Sequence, residues 1–173
     1  MLGRAYGIAR SLVMYHGVPG RHRKMVRFYG AFLGPGDIGI DVGAHVGSRV
    51  RAWRALGARV IAVEPQPDFT RILRLFFGRD DGVTILPQAL GARPGTARLG
   101  ISTATPTVSS LSTDWIETVA TDRSFAKVRW DRSVEVPVAL SKGCQWDVGH
   151  QTSHHSPSRW GSAWPKMLAN RCG

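Results

Sequence analysis

Two acids, Asp41 and Glu64, are the residues best placed to do chemistry, because each lies at the end of an apolar run. Residues 38–42 and 60–63 are short and apolar enough to be buried strands. Between them, residues 43–47 carry two glycines in a Gly-x-x-x-Gly spacing. A strand, a glycine turn, a helix and a second strand ending in a carboxylate form the first half of a nucleotide-binding βαβ unit.

The glycine spacing distinguishes between kinds of nucleotide ligand. A dinucleotide site uses Gly-x-Gly-x-x-Gly, because the backbone must approach a pyrophosphate. Here Gly43 and Gly47 are four residues apart, and Asp41 would repel a pyrophosphate. A carboxylate at that point suits a ligand carrying an ammonium and a sulfonium. The sequence therefore predicts S-adenosyl-L-methionine as the cofactor and disfavours a dinucleotide oxidoreductase.

Each predicted site residue has a specific role and an alternative. Glu64 can accept both ribose hydroxyls of an adenosyl group, or it can be a strand-end acid that caps the next segment. Asp41 can bind the ligand ammonium, directly or through water, or hold the amides of the turn. Gly43 and Gly47 can present backbone N–H groups to the ligand or merely permit the turn. The helix that follows can receive the methionine carboxylate at its N-terminus.

The remaining cofactor-binding candidates are Ala44, His45 and Gln88. Ala44 and His45 belong to the turn, where His45 is either a hydrogen-bond donor in the pocket wall or an exposed residue. Gln88 follows the third predicted strand, on the rim where an adenine would lie. It can bond the exocyclic amine, or it can be an ordinary loop residue.

Hydrophobic periodicity predicts the elements that hold this site. Helices are expected over residues 4–15 and 21–32, the second burying one face. The residues of that face are Met25, Val26, Tyr29 and Phe32. Strands over 38–42, 59–63 and 83–86 alternate with helices, which predicts an α/β fold with a parallel sheet. The buried faces of its two helices are Val46, Val50, Trp53 and Leu56, with Arg49 pointing elsewhere, and Phe69, Ile72, Leu73 and Phe76.

Beyond Gln88 the pattern changes. Residues 89–101 are predicted to form an antiparallel hairpin, and 133–139 a strand with one buried face. Three regions result: a helical segment over 1–33, a cofactor-binding domain over 34–141, and an irregular tail over 142–173.

The net charge of +11 admits a second function. Residues 1–36 carry six Arg or Lys and no acid, a footprint for a non-catalytic protein that binds nucleic acid or anionic membrane. The favoured interpretation is a solvated basic helix, because no basic stripe interleaved with aromatics is evident, and nucleic acid is not an expected partner.

No apolar run approaches the ~20 residues that cross a bilayer. Two cysteines make no disulfide framework, so a cytoplasmic location is expected.

An ordered set of motifs resembles the FkbM-type methyltransferases. The motifs span residues 40–47, 60–67, 83–91, 94–95, 110–112 and 134–138. The resemblance implies a seven-stranded class I fold that uses S-adenosyl-L-methionine to methylate hydroxyls of sugars or other small metabolites. The family usually has Asn at the position of His45, and either side chain can donate a hydrogen bond.

The resemblance ends at about residue 140. The family continues with a threonine-leucine-aspartate stretch and a fourth strand of Lys-Ile-Asp-x-Glu-Gly type, whereas this chain continues with residues 139–143 and the aberrant tail. We expect a tail that is out of frame or a truncated gene, and a chain that keeps the cofactor-binding half with little or no catalytic activity. The first strand would then be an open edge.

No catalytic residue can be assigned from the sequence. A hydroxyl acceptor needs a general base. Four acids are available, and their spacing singles out none: Asp114, Glu117, Asp122 and Asp131. In the tail, His150 and His154 are spaced as metal ligands on a helix, but Gly149 and Pro157 disfavour a helix there, so no metal site is expected.

Overall fold

Three parallel strands form the first sheet of the computed structural model, which describes residues 2–140. They are β1 (Ile38–Val42), β2 (Arg59–Val63) and β3 (Val83–Leu86), in the order β1-β2-β3. The predicted strands and their parallel pairing are confirmed. The architecture is mixed α/β and consistent with a Rossmann-like arrangement.

Within residues 2–140, five α-helices accompany the strands. They are α1 (Leu2–His16), α2 (Arg21–Tyr29), α3 (Ser48–Ala55), α4 (Pro67–Phe77) and α5 (Thr113–Ala120). Helices α3 and α4 are the crossovers between the parallel strands, and both bury apolar side chains against the sheet. None of the helices in the described part of the chain is long and apolar enough to cross a membrane.

Two predicted core positions are wrong, and in each case the neighbouring residue packs instead. Phe32 is 57% exposed, because α2 ends at Tyr29 and the turn that follows directs Leu33 onto the core. Phe76 is 51% exposed, while Phe77 packs against the core. The absent side chain at Gly47 leaves room for the Phe77 ring, since a Cβ there would lie 2.5 Å from it.

A second sheet contains β4 (Ala89–Gly91), β5 (Gly95–Ile101) and β6 (Arg132–Leu140), in the order β4-β6-β5. The predicted hairpin is wrong: β6 lies between the other two, parallel to β4 and antiparallel to β5. The nine-residue β6 pairs with the full length of β5 and buries Val136 against the β4 and β5 side chains. This long-range pairing replaces the local one that a short turn would have favoured.

Helix α1 reaches from the first sheet to the second. Arg4 forms an ion pair with Asp68, at the start of α4. Gly7 lies so close to the Thr103 carbonyl oxygen that a Cβ would stand 2.0 Å from it. At its other end α1 contacts the loop that follows β1. The predicted tail over 142–173 lies outside the described residues.

Candidate functional site

The turn after β1 and the acid after β2 are in direct contact. The backbone N–H of His45 donates to Glu64 Oε2 at 2.8 Å. The N–H groups of Gly43 and Ala44 both donate to the carbonyl of Val63, at 2.9 and 3.1 Å. Parallel pairing brings the carboxyl ends of the two strands to one edge, and these bonds close the turn over that edge. The two segments that the sequence singled out therefore form one structure.

The turn uses backbone conformations that its sequence supplies. Gly43 has φ +70° and Gly47 has φ +75°, in the left-handed region that glycine adopts without strain. His45 lies between them with φ +52°, an uncommon conformation for a side-chain-bearing residue and one that Asn tolerates better. Such backbone strain often accompanies functional loops.

Glu64 is buried with both oxygens in use. The side chain is 2% exposed; Oε2 accepts from His45 N, and Oε1 accepts from Gln66 N at 2.8 Å. Burial raises the pKa of Glu64 to about 7, opposed by these two amides. A carboxylate oxygen has more than one acceptor position, so a ligand hydroxyl can still be accommodated at either atom.

Asp41 is paired with Arg49, a residue that the sequence analysis had placed elsewhere. Arg49 Nε donates to Asp41 Oδ1 at 2.6 Å, and Arg49 Nη2 donates to the Gly43 carbonyl at 3.2 Å. Asp41 is 2% exposed, and within residues 2–140 its Oδ2 has no hydrogen-bond partner. Burial raises the pKa of Asp41 and Arg49 opposes that rise. An Arg in the first turn of the helix after the strand is the signal that could have revealed this pair.

His45 lies between two aromatic rings. Its ring centroid is 3.8 Å from that of Phe69 and 5.2 Å from that of Tyr15. Burial, with Arg49 and His16 nearby, lowers the pKa of His45 to about 4, so the ring is neutral at physiological pH. Neither ring nitrogen bonds to any described residue. The imidazole thus offers one free donor and one free acceptor in the turn whose backbone binds Glu64.

The last turn of α1 covers this site. Tyr15 lies against His45, and His16 Nε2 donates to the Val46 carbonyl at 2.8 Å. Together with the burial of Asp41 and Glu64, these contacts describe a closed site. Both acids are buried, so a ligand that touches them requires the surrounding chain to move.

The other predicted residues lie further from these contacts. Gln88 follows β3 on the same edge, since Glu64 N donates to the Leu86 carbonyl, but among residues 2–140 its side chain bonds to none of the other site residues. Ala44 is buried in the core below the turn. The four candidate bases, Asp114, Glu117, Asp122 and Asp131, are all exposed. Asp131 accepts from Thr103 N and Oγ1, which gives it a structural partner.

Residues 2–140 contain no group of three His, Cys, Asp or Glu arranged to hold a metal ion. The spaced histidines His150 and His154 lie outside the described residues. Comparisons with protein-family models, curated proteins and solved structures found no match for this chain.

Proposed function

We propose that this protein binds S-adenosyl-L-methionine where β1 and β2 end and transfers its methyl group to a hydroxyl of a sugar or similar small metabolite. The fold we propose for it is that of the class I methyltransferases. One observation carries the proposal: the hydrogen bond between His45 N and Glu64 Oε2, which joins the glycine turn to the strand-end acid.

The amino-acid end of the cofactor matches the charges beside the turn. A methionine moiety carries an ammonium and a carboxylate on one carbon. Asp41 Oδ2 is a buried acceptor whose hydrogen-bonding capacity residues 2–140 leave unused, and it suits the ammonium. Arg49 is 35% exposed and has donors to spare for the carboxylate. The pair would thus recognise a zwitterion, an ability that the sequence analysis assigned to Asp41 and the helix N-terminus.

The sugar end matches Glu64 and His45. A ribose presents two adjacent hydroxyls, and the Glu64 carboxylate has acceptor positions remaining after its two backbone bonds. The neutral His45 ring supplies a donor or an acceptor to the same region. The site also lies at an edge of the sheet where ligands of open α/β folds bind.

Methyl transfer asks little of the protein beyond binding and alignment. When bound, S-adenosyl-L-methionine would supply a methyl group activated by its positive sulfur, and the sulfur would keep the S–C electron pair when the acceptor oxygen bonds to the methyl carbon. The protein must hold that hydroxyl in line, exclude water and remove its proton. The four exposed acids include no residue that contacts the site, so the general base stays unassigned.

Isothermal titration of the full chain with S-adenosylhomocysteine tests the proposal. We expect saturable binding, no binding of NAD, and at least a tenfold loss in Glu64→Gln, which removes a charged acceptor. Asp80→Asn, at the opposite end of the sheet, serves as the matched control and should bind normally. Absence of S-adenosylhomocysteine binding to folded wild-type protein, or binding of NAD in its place, would refute the proposal.

A further inference from the structure

Helix α2 and the turn after it present a basic, aromatic surface. Its members, here called the α2 stripe, are Arg23, Lys24, Arg27, Phe28 and Phe32, and all are exposed. Phe28 is 60% and Phe32 57% exposed, and their ring centroids are 5.5 Å apart. No basic stripe interleaved with aromatics is evident in the sequence. The fold produces one by ending α2 before Phe32.

The fold does not use the α2 stripe to hold itself together. The opposite side of α2 packs on the core through Met25, Val26 and Tyr29, and the Tyr29 ring meets Trp53 edge-on at 5.3 Å. Within the described residues, none of the three cations in the stripe forms an ion pair. The core thus fixes a short helix whose outer face has unpaired charge and bare aromatic rings.

The residues just before α2 also have exposed apolar and basic side chains. Val13 is 68%, Met14 42% and Val18 49% exposed, in the last turn of α1 and the bend before α2. Arg10 is exposed one turn before Val13. The first 36 residues contain no acid that would neutralise these cations. A contiguous exposed apolar patch usually marks an interaction site, and the Phe28 and Phe32 rings lie against each other.

We propose that the α2 stripe docks this protein on an anionic membrane surface. Cations within a Debye length of acidic headgroups are attracted to them, and apolar side chains beside those cations enter the boundary between headgroups and acyl chains. The exposed apolar side chains of Val13, Met14 and Val18 favour a lipid surface over nucleic acid, because single-stranded nucleic acid would need only the cations and the aromatic rings of the stripe. This inference is independent of the cofactor site.

Vesicle co-sedimentation of the full chain tests the proposal. We expect binding to phosphatidylcholine vesicles that contain phosphatidylserine, little binding to phosphatidylcholine alone, and weakening by salt. The triple variant R23Q/K24Q/R27Q should bind roughly 100-fold more weakly, from the usual contribution of each cation near such a surface. The variant F28S/F32S should lose roughly 100-fold in affinity, from the usual contribution of each buried Phe side chain.

A matched control removes equal charge elsewhere. Arg93, Arg123 and Arg129 are exposed and lie outside the stripe, so R93Q/R123Q/R129Q should bind vesicles nearly as well as the wild type. The proposal fails if this control weakens binding as much as the stripe variant, or if both vesicle types bind equally. It also fails if the stripe variants instead abolish binding to single-stranded or duplex DNA, or if F28S/F32S converts a dimer to a monomer on gel filtration.

Discussion

Helix α3 carries two arginines that each pair with an aspartate, at opposite ends of the same parallel sheet. Arg49, in its first turn, pairs with Asp41 at the carboxyl end of the strands. Arg54, in its last turn, pairs with Asp80 at the amino end, before β3. The residue types and the helix are the same, so any difference between the two pairs comes from their surroundings.

The Asp80 pair has a partner for each of its charged groups. Both carboxylate oxygens accept from Arg54, Oδ1 also accepts from Gly82 N, and Arg54 Nη1 donates to the Ala58 carbonyl. The Arg54 hydrogen bond lowers the pKa of Asp80, whose side chain is 33% exposed. This ion pair therefore has the properties of one that stabilises the fold.

The Asp41 pair differs from the Asp80 pair in its burial and in the hydrogen-bonding capacity that it leaves unused. Asp41 is 2% exposed, and burial raises its pKa despite the neighbouring guanidinium. Its Oδ2 lacks a partner among residues 2–140, and the His45 ring lacks one as well. Unused hydrogen-bonding capacity in a buried place is costly to stability, and here it lies where a ligand at the end of β1 could use it. The contrast teaches that an ion pair alone does not indicate a site.

The largest expected difference between the two ends is in stability. Arg49→Ala leaves a buried carboxylate without its counter-charge and should lower the free energy of unfolding by roughly 3 to 4 kcal/mol. Arg54→Ala removes a more exposed pair and should cost about 1 kcal/mol. Urea denaturation monitored by circular dichroism measures both. Equal losses in the free energy of unfolding would mean that the two ion pairs are equivalent.

The pH dependence of stability is the next expected difference. The folded-state pKa of Glu64, about 7, lies above its ordinary 4.5, so the stability that it contributes is full at low pH and falls as the pH rises through this window. The folded-state pKa of His45, about 4, lies below its ordinary 6.5, so its contribution is lost as the pH falls. Each amounts to about 3 kcal/mol. Between pH 4.5 and 6.5 the two should nearly cancel.

Two variants separate these contributions. Relative to the wild type, Glu64→Gln loses the Glu64 contribution, so its stability should rise more steeply with pH over that window. Relative to the wild type, His45→Asn loses the His45 contribution, so its stability should fall with pH. Asp41 is present in both variants and in the wild type, so its own titration is common to all three. Parallel pH profiles for the two variants would contradict the assigned pKa directions.

Much of the fold was predictable because its signals are local. The three strands of the first sheet have the predicted bounds, since short apolar runs between turn residues identify buried strands without reference to distant residues. The turn at 43–47 was predictable for the same reason, because Gly43 and Gly47 permit its positive φ angles. The contact between this turn and Glu64 follows from the parallel pairing of two consecutive strands.

What the sequence did not reveal depends on distant parts of the chain. Strand β6 separates β4 from β5 through pairings 40 or so residues away, which periodicity does not encode. The cover over the site comes from α1, through Tyr15 and His16, long before the turn in the chain. The spacing predicts that Arg49 points away from the buried face, because helical periodicity alone ignores the acid at the end of β1 with which Arg49 pairs.

The smallest expected difference between the Asp41 pair and the Asp80 pair is in ligand recognition. The double variant D41N/R49Q removes both charges of the buried pair together, so neither is left uncompensated, while D80N/R54Q does the same at the other end. If Asp41 and Arg49 hold the amino-acid moiety, D41N/R49Q should bind S-adenosylhomocysteine roughly tenfold more weakly, a loss of about 1.4 kcal/mol.

The same double variant should bind methylthioadenosine, which lacks the amino-acid moiety, as the wild type does. The control D80N/R54Q should bind both compounds normally. Calorimetry on the three proteins with the two ligands gives the comparison, and the ratio of the two affinities cancels any general loosening of the fold. An equal loss for both ligands would show that the Asp41 pair supports the site without touching the zwitterion. No loss of affinity for either ligand would mean that both ion pairs serve only the fold, because a buried acceptor that no ligand uses has only a structural cost.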